Sequence, residues 1–154
     1  MLDTSCYEKL IRIAIEEASS AIERGDEPFG GVICDSMGNI IVRDGNRENT
    51  EQNPTHHAEM VLIREACKKL GTKDLSGCII VCNAEPCPMC ASALVLSGIR
   101  EFCYGADMES FCNPYIRCKD VLKESKGDLV LVDGILEKEC RAIVQEGRRR
   151  LANK

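Results

Sequence analysis

The 154-residue chain is 44% hydrophobic and 29% charged, which is enough apolar material for one core and too short for two ordinary domains. Residues 1–154 therefore read as a single domain. Its 20 basic and 25 acidic residues leave a formal charge of −5, so there is no net pull toward a phosphate backbone, and any nucleic-acid contact must come from a local basic patch.

The N-terminal stretch "MLDTSCYEKLIRIAIEEASS" mixes charged and apolar residues and lacks the unbroken apolar run of a signal peptide. Tyr7, Leu10, Ile11, Ala14, Ile15, Ala18 and Ile22 follow the helical period, and Gly25 ends that helix. "FGGVICD" and "NIIVRD", joined by "SMG", predict a β-hairpin. "HAEMVLIREACKKL" predicts a helix with Gly71 at its C-cap. "CIIVC" is wholly apolar and predicts a central strand. "PMCASALVLSG" predicts a buried helix, "EFCYG" and "DLVLVD" two further strands, and "ILEKECRAIVQEGRRR" the closing helix. Residues 107–120 show neither period clearly and are expected to be loop with room for a helical turn. The order α, β, β, α, β, α, β, β, α implies a sheet between helical layers.

No stretch reaches the length of a transmembrane helix, and a cytoplasmic protein is expected. The eleven cysteines are odd in number, and the core needs no covalent staples, so reduced thiols are expected. Cys34, Cys67, Cys78, Cys103 and Cys140 lie in apolar or amphipathic runs, as small buried hydrophobes do. Cys87 and Cys90 do not: they stand three apart after Pro86, at the start of the third predicted helix, where side chains at that spacing share a face. A helix N-terminus favours thiolates. His57 opens the second helix and Glu59 follows two residues on, pointing elsewhere from the same turn. Two cysteines and a histidine favour zinc over magnesium or calcium, and three ligands leave an open coordination position for water. Glu59 is then the carboxylate that takes and delivers protons. Two competing arrangements are His56 in place of His57, and a structural zinc that also uses Cys82.

"HAE" at His57 to Glu59 followed by "EPCPMC" at Glu85 to Cys90 resembles the zinc-dependent cytidine deaminase superfamily. The similarity covers most of the chain, from "PFGGVI" through "GNR" and "PTHHAE" to "EPCPMCASAL", and "VDGILEKEC" is similar to the closing helix of tRNA adenosine deaminases. The resemblance implies a three-layer α-β-α sandwich around a mixed five-stranded sheet. It also implies one zinc ion on His57, Cys87 and Cys90, Glu59 as proton shuttle, Asn46 hydrogen-bonded to the substrate base, and a homodimer.

Phe29 is a candidate stacking surface, although a core strand residue would look the same, and the backbone amide of Ala58 or Cys87 is a candidate for binding the substrate carbonyl or the zinc water. Guanine deaminases carry a substrate-facing acid in the stretch that "SFCNPYI" resembles; here that place falls on Cys112 or Asn113. An asparagine offers both a donor and an acceptor where an acid only accepts. The main expectation is hydrolytic deamination of a free nucleobase or nucleoside, with a guanine- or cytosine-type ring amine. The alternative is a tRNA wobble adenosine deaminase, favoured by "VDGILEKEC" and by Arg148, Arg149 and Arg150, and disfavoured by the acidic composition and the altered stretch after "YGA". The three arginines are otherwise read as a solvated helix end. A non-catalytic zinc-stabilised scaffold is a third reading, against which the presence of Glu59 argues.

Overall fold

The computed structural model describes residues 1–110 and 116–154. In chain order the elements are α1 (Thr4–Arg24), β1 (Gly30–Cys34), β2 (Ile40–Gly45), α2 (Ala58–Leu70), β3 (Ile79–Ala84), α3 (Pro88–Leu96), β4 (Glu101–Ala106), a 3₁₀ turn (Met108–Ser110), α4 (Cys118–Glu124), β5 (Val130–Val132) and α5 (Glu137–Ala152). The sheet order is β2-β1-β3-β4-β5. β1 is antiparallel to β2 and β3, whereas β3, β4 and β5 run parallel, so the sheet is mixed.

The central strands β1 and β3 are buried along their whole length. Because side chains alternate across a strand, their residues divide between two cores. Ile33, Ile80 and Cys82 face Leu62, Ala91, Leu94 and Leu122 of α2, α3 and α4. Val32, Cys34, Ile79 and Val81 face Tyr7, Leu10, Ile11 and Cys140 of α1 and α5. The result is the expected α-β-α sandwich. The described cysteines are all free thiols, and Cys34, Cys78, Cys103 and Cys140 are buried as expected while Cys67 is half-buried.

Within 107–110 and 116–120 the chain is more ordered than the sequence suggested. A 3₁₀ turn occupies Met108–Ser110, and α4 begins at Cys118. That helix is seven residues long, under two full periods, so its apolar residues Cys118, Val121 and Leu122 are too few to show periodicity. Cys112 and Asn113 lie outside the described residues.

Close approach of helix to sheet is obtained with glycine at Gly30, where a Cβ would lie 2.5 Å from the Ala14 carbonyl oxygen of α1. Gly147 plays the same part on α5: a Cβ there would overlap Pro28 Cβ and come within 2.9 Å of Ile22. This contact brings the C-terminal half of α5 against the loop before β1.

Candidate active site

Two helix starts build the site. α2 begins after His57 and α3 after Cys87, both in extended conformation (φ −62°, ψ 156° and φ −69°, ψ 167°), and neither side chain caps its own helix. A serine or aspartate there would satisfy a first-turn amide. Here the two side chains instead meet each other, with Cys87 Sγ 3.5 Å from His57 Nδ1. Cys90, in the first turn of α3, is fully buried beside them. The ligand atoms of His57, Cys87 and Cys90 all lie within 4.8 Å of one another. One imidazole and two thiols form a donor set suited to zinc.

The protonation pattern of these side chains follows from their contacts. A hydrogen bond from the Cys90 thiol, reinforced by His57, draws Cys87 down to about 4. Its hydrogen bond to Cys87 raises His57 to about 9. Cys90 is pushed up, first by its bond to Cys87 and then by burial. Cys82 and His56 stand outside the cluster. Cys82 is a buried core residue, its thiol raised by burial, and His56 turns its Nδ1 to Glu51.

Glu59 is the second residue of α2 and only 6% exposed. Burial raises its carboxyl above the ordinary value, with the Cys87 thiolate adding to this and His57 opposing it. A carboxyl held in that way keeps a proton more readily than one in water. Glu59 lines a cleft of about 130 Å³ together with Phe29, His57, Glu85, Cys87, Met108 and Arg148. Ala58, buried, is the first residue of α2, where a helix leaves its amides without intrahelical partners.

Asn46 lies at the end of β2 and is fully buried. Its side-chain oxygen accepts from the Glu48 amide at 3.0 Å and the Glu27 amide at 3.4 Å, and its Nδ2 donates to Glu48 Oε2 at 2.7 Å. The hydrogen bonds of Asn46 are thus made within the protein.

Three residues lining the cleft and one beside it were not assigned a place there from the sequence. Glu85, 3% exposed, forms its rear wall and accepts from Arg117 Nε at 3.2 Å, Arg117 Nη2 at 2.7 Å and the backbone amides of Met108 and Cys118. Met108 adds an apolar wall. Arg148 stands with its guanidinium 5.7 Å from the centre of the Phe29 ring. Glu48 contacts His57. Glu85 carried a signal in "EPCPMC", and Arg148 lay in the terminal basic run; Met108 and Glu48 carried none. Of the three arginines, Arg149 and Arg150 bind Glu146, and Arg150 also binds Glu23. Those two fit the solvated helix end, whereas Arg148 belongs to the cleft.

Comparisons with known proteins agree with this geometry. Residues 4–106 match the cytidine and deoxycytidylate deaminase zinc-binding region. The chain is 39% identical over 150 residues to a tRNA-specific adenosine deaminase of Bacillus subtilis, covering 96% of this chain and 91% of that protein. It is 37% identical over 102 residues to the guanine deaminase of Bacillus subtilis, covering 66% of this chain and 65% of that protein. A solved structure from work on A-to-I editing by tRNA:A34 deaminases at the wobble position of transfer RNA superimposes with a TM-score of 0.78 at 32% identity, over 88% of this chain and 98% of that one. With its His-Cys-Cys cluster, buried glutamate and mixed sheet in place, the chain belongs to the zinc-dependent cytidine deaminase superfamily.

Proposed function

We propose that this protein deaminates an adenosine base within a tRNA. The observation that carries the reading is the likeness to a tRNA-specific adenosine deaminase along almost the whole of both chains. The likeness to a guanine deaminase extends over two thirds of this chain, so weight passes from the free nucleobase to the RNA substrate. Arg148 supports the same direction, because it places a cation beside an aromatic ring at the cleft, an arrangement suited to a nucleotide's base and phosphate.

A zinc ion held by His57, Cys87 and Cys90 would acidify a water and so supply a nucleophile near neutral pH. Glu59 would take a proton from that water and deliver it to the ring nitrogen beside the amine-bearing carbon, while the water oxygen would bond to that carbon. Glu59 then carries the hydroxyl proton to the amine. The C–N bond breaks, ammonia leaves, and a ring carbonyl remains. Phe29 offers a stacking face for the base, and the Ala58 amide offers a donor. The protein is proposed to act in the cytoplasm as a homodimer joined through α2 and α3, where Met89 and Leu96 are exposed. No helix among the described residues is long and apolar enough to cross a membrane.

The test is ammonia release by the zinc-loaded protein from an adenosine-bearing tRNA anticodon stem-loop, set against guanine, cytosine, adenine and their nucleosides. Turnover of the stem-loop alone, with a rate at low substrate that falls steeply with salt, is expected. In Glu59→Ala, zinc binding should persist and turnover should vanish. Turnover of guanine or cytosine with the RNA inert would overturn the RNA reading and leave the deaminase assignment standing.

A further inference from the structure

We propose that Glu48 is the positioning residue of the metal-binding histidine, and that Asn46 serves it by holding its carboxylate. The inference rests on reading His57 as a zinc ligand and goes beyond it, to the group that fixes how the ring is presented.

An imidazole that binds a metal through one nitrogen must have the other nitrogen protonated, and a partner for that N–H decides both tautomer and ring orientation. His57 Nδ1 faces Cys87 Sγ at 3.5 Å, on the side of the cluster. Its Nε2 faces Glu48 Oε1 at 3.3 Å, on the opposite side. A proton on Nε2 donated to Glu48 leaves the Nδ1 lone pair directed at the thiolates, as a three-ligand site needs.

Glu48 is itself held. Its second oxygen accepts from Asn46 Nδ2 at 2.7 Å, and its backbone amide donates to Asn46 Oδ1 at 3.0 Å. Asn46 is fully buried, donates its backbone amide to the Phe29 carbonyl at 2.9 Å, and accepts at its own carbonyl from Arg24 Nη2 at 3.0 Å. The following turn is tied down as well. The fully buried Asp26 accepts from the amides of Asn49 and Thr50 at 3.0 and 2.9 Å and from the Thr50 hydroxyl at 2.9 Å. Glu48 therefore sits on a loop fixed on both sides, and its carboxylate has one oxygen for the loop and one for the histidine. Asn46, which the family resemblance places at the substrate base, spends its side-chain oxygen and an amide hydrogen on this arrangement.

Glu51 provides an internal control. It lies on the same loop and pairs with His56, a histidine outside the metal-binding cluster. A general loosening of the loop would register in variants of either glutamate, whereas a positioning role registers only at Glu48.

The experiment measures zinc affinity of the full chain by competition with a chromophoric chelator, for the parent, Glu48→Ala, Glu48→Gln and Glu51→Gln. Melting of the zinc-free proteins is followed in parallel. Glu48→Ala should weaken zinc binding by a factor on the order of 10–100. Glu48→Gln, which keeps an acceptor oxygen, should recover most of the loss, and Glu51→Gln should match the parent. Unchanged zinc affinity in Glu48→Ala, or an equal loss in Glu51→Gln, would overturn the proposal. If Glu48→Ala also lowers zinc-free melting, the ring ¹⁵N shifts of His57 in zinc-loaded Glu48→Gln decide: an altered Nε2–H signal supports the contact, and one identical to the parent's overturns it. A parent that binds no zinc would remove the zinc reading together with this one; a parent that binds zinc normally confines failure to Glu48.

Discussion

Two carboxylates are buried at the cleft, and their surroundings assign them different work. Glu85 is met by both arms of the Arg117 guanidinium and by two backbone amides, so its charge is compensated in place. Among the described residues no arginine or lysine pairs with Glu59, and burial raises its carboxyl against the opposing effect of His57. The first residue is held as a charge, and the second is the one that the proposed mechanism uses to move protons. Arg117 also reaches Glu109 at 2.5 Å, tying the start of α4 to the 3₁₀ turn that borders the cleft. Removing one partner of a buried pair leaves the other charge stranded, at a cost of about 3–5 kcal/mol. Arg117→Met should therefore lower stability by roughly that amount in urea unfolding, and adding Glu85→Gln to it should recover part of the loss. A loss under about 1 kcal/mol would rank the pair with surface ion pairs and remove it as the clamp of this wall.

At the scale of elements, α5 shows how packing aims a functional side chain. Gly147 lets the helix settle against Pro28 and Ile22, and the next residue, Arg148, stands over the Phe29 ring. Two effects oppose each other in Gly147→Ala. Alanine gains up to about 1 kcal/mol of helix propensity, while a methyl forced into occupied space costs about 1–3 kcal/mol. Because the nearest neighbour is a proline ring carbon, which cannot rotate away, the steric cost should win and the urea midpoint should fall. A stabilised variant would show that α5 does not make this approach. The same comparison explains what was legible beforehand. The long helices α1, α2 and α5 carry enough residues to display a period, β3 stands out as an unbroken apolar run, and the cluster of His57, Cys87 and Cys90 announces itself by local spacing. α4 is too short for periodicity. The Glu85–Arg117 pair joins residues 32 apart, and Glu48 touches His57 only because a loop folds back, so no local pattern could mark either.

At the scale of the whole molecule, α3 presents an unsolved burial problem within one chain. Its sequence, Pro88 to Leu96, contains no charged residue, and a helix apolar all round belongs where every side is covered. Yet Leu96 is 89% exposed and Met89 36%, and a groove of about 580 Å³ runs between α2 and α3, lined by Met60, Ile63, Cys67, Ala93 and Leu96 among others. A second copy of the chain would cover this face. Both helices begin at the cluster of His57, Cys87 and Cys90, so such an interface would also brace the far ends of the elements that carry it. Sedimentation equilibrium of the parent should give twice the 17.0 kDa chain mass. Leu96→Asp should give the monomer with unchanged far-UV circular dichroism, because a side chain this exposed contributes little to the fold of its own chain. Met37→Asp, also on an exposed apolar residue but in the turn between β1 and β2, should remain dimeric. A parent that sediments as a monomer would refute the assembly; a dimer unaffected by Leu96→Asp would move the interface to another face.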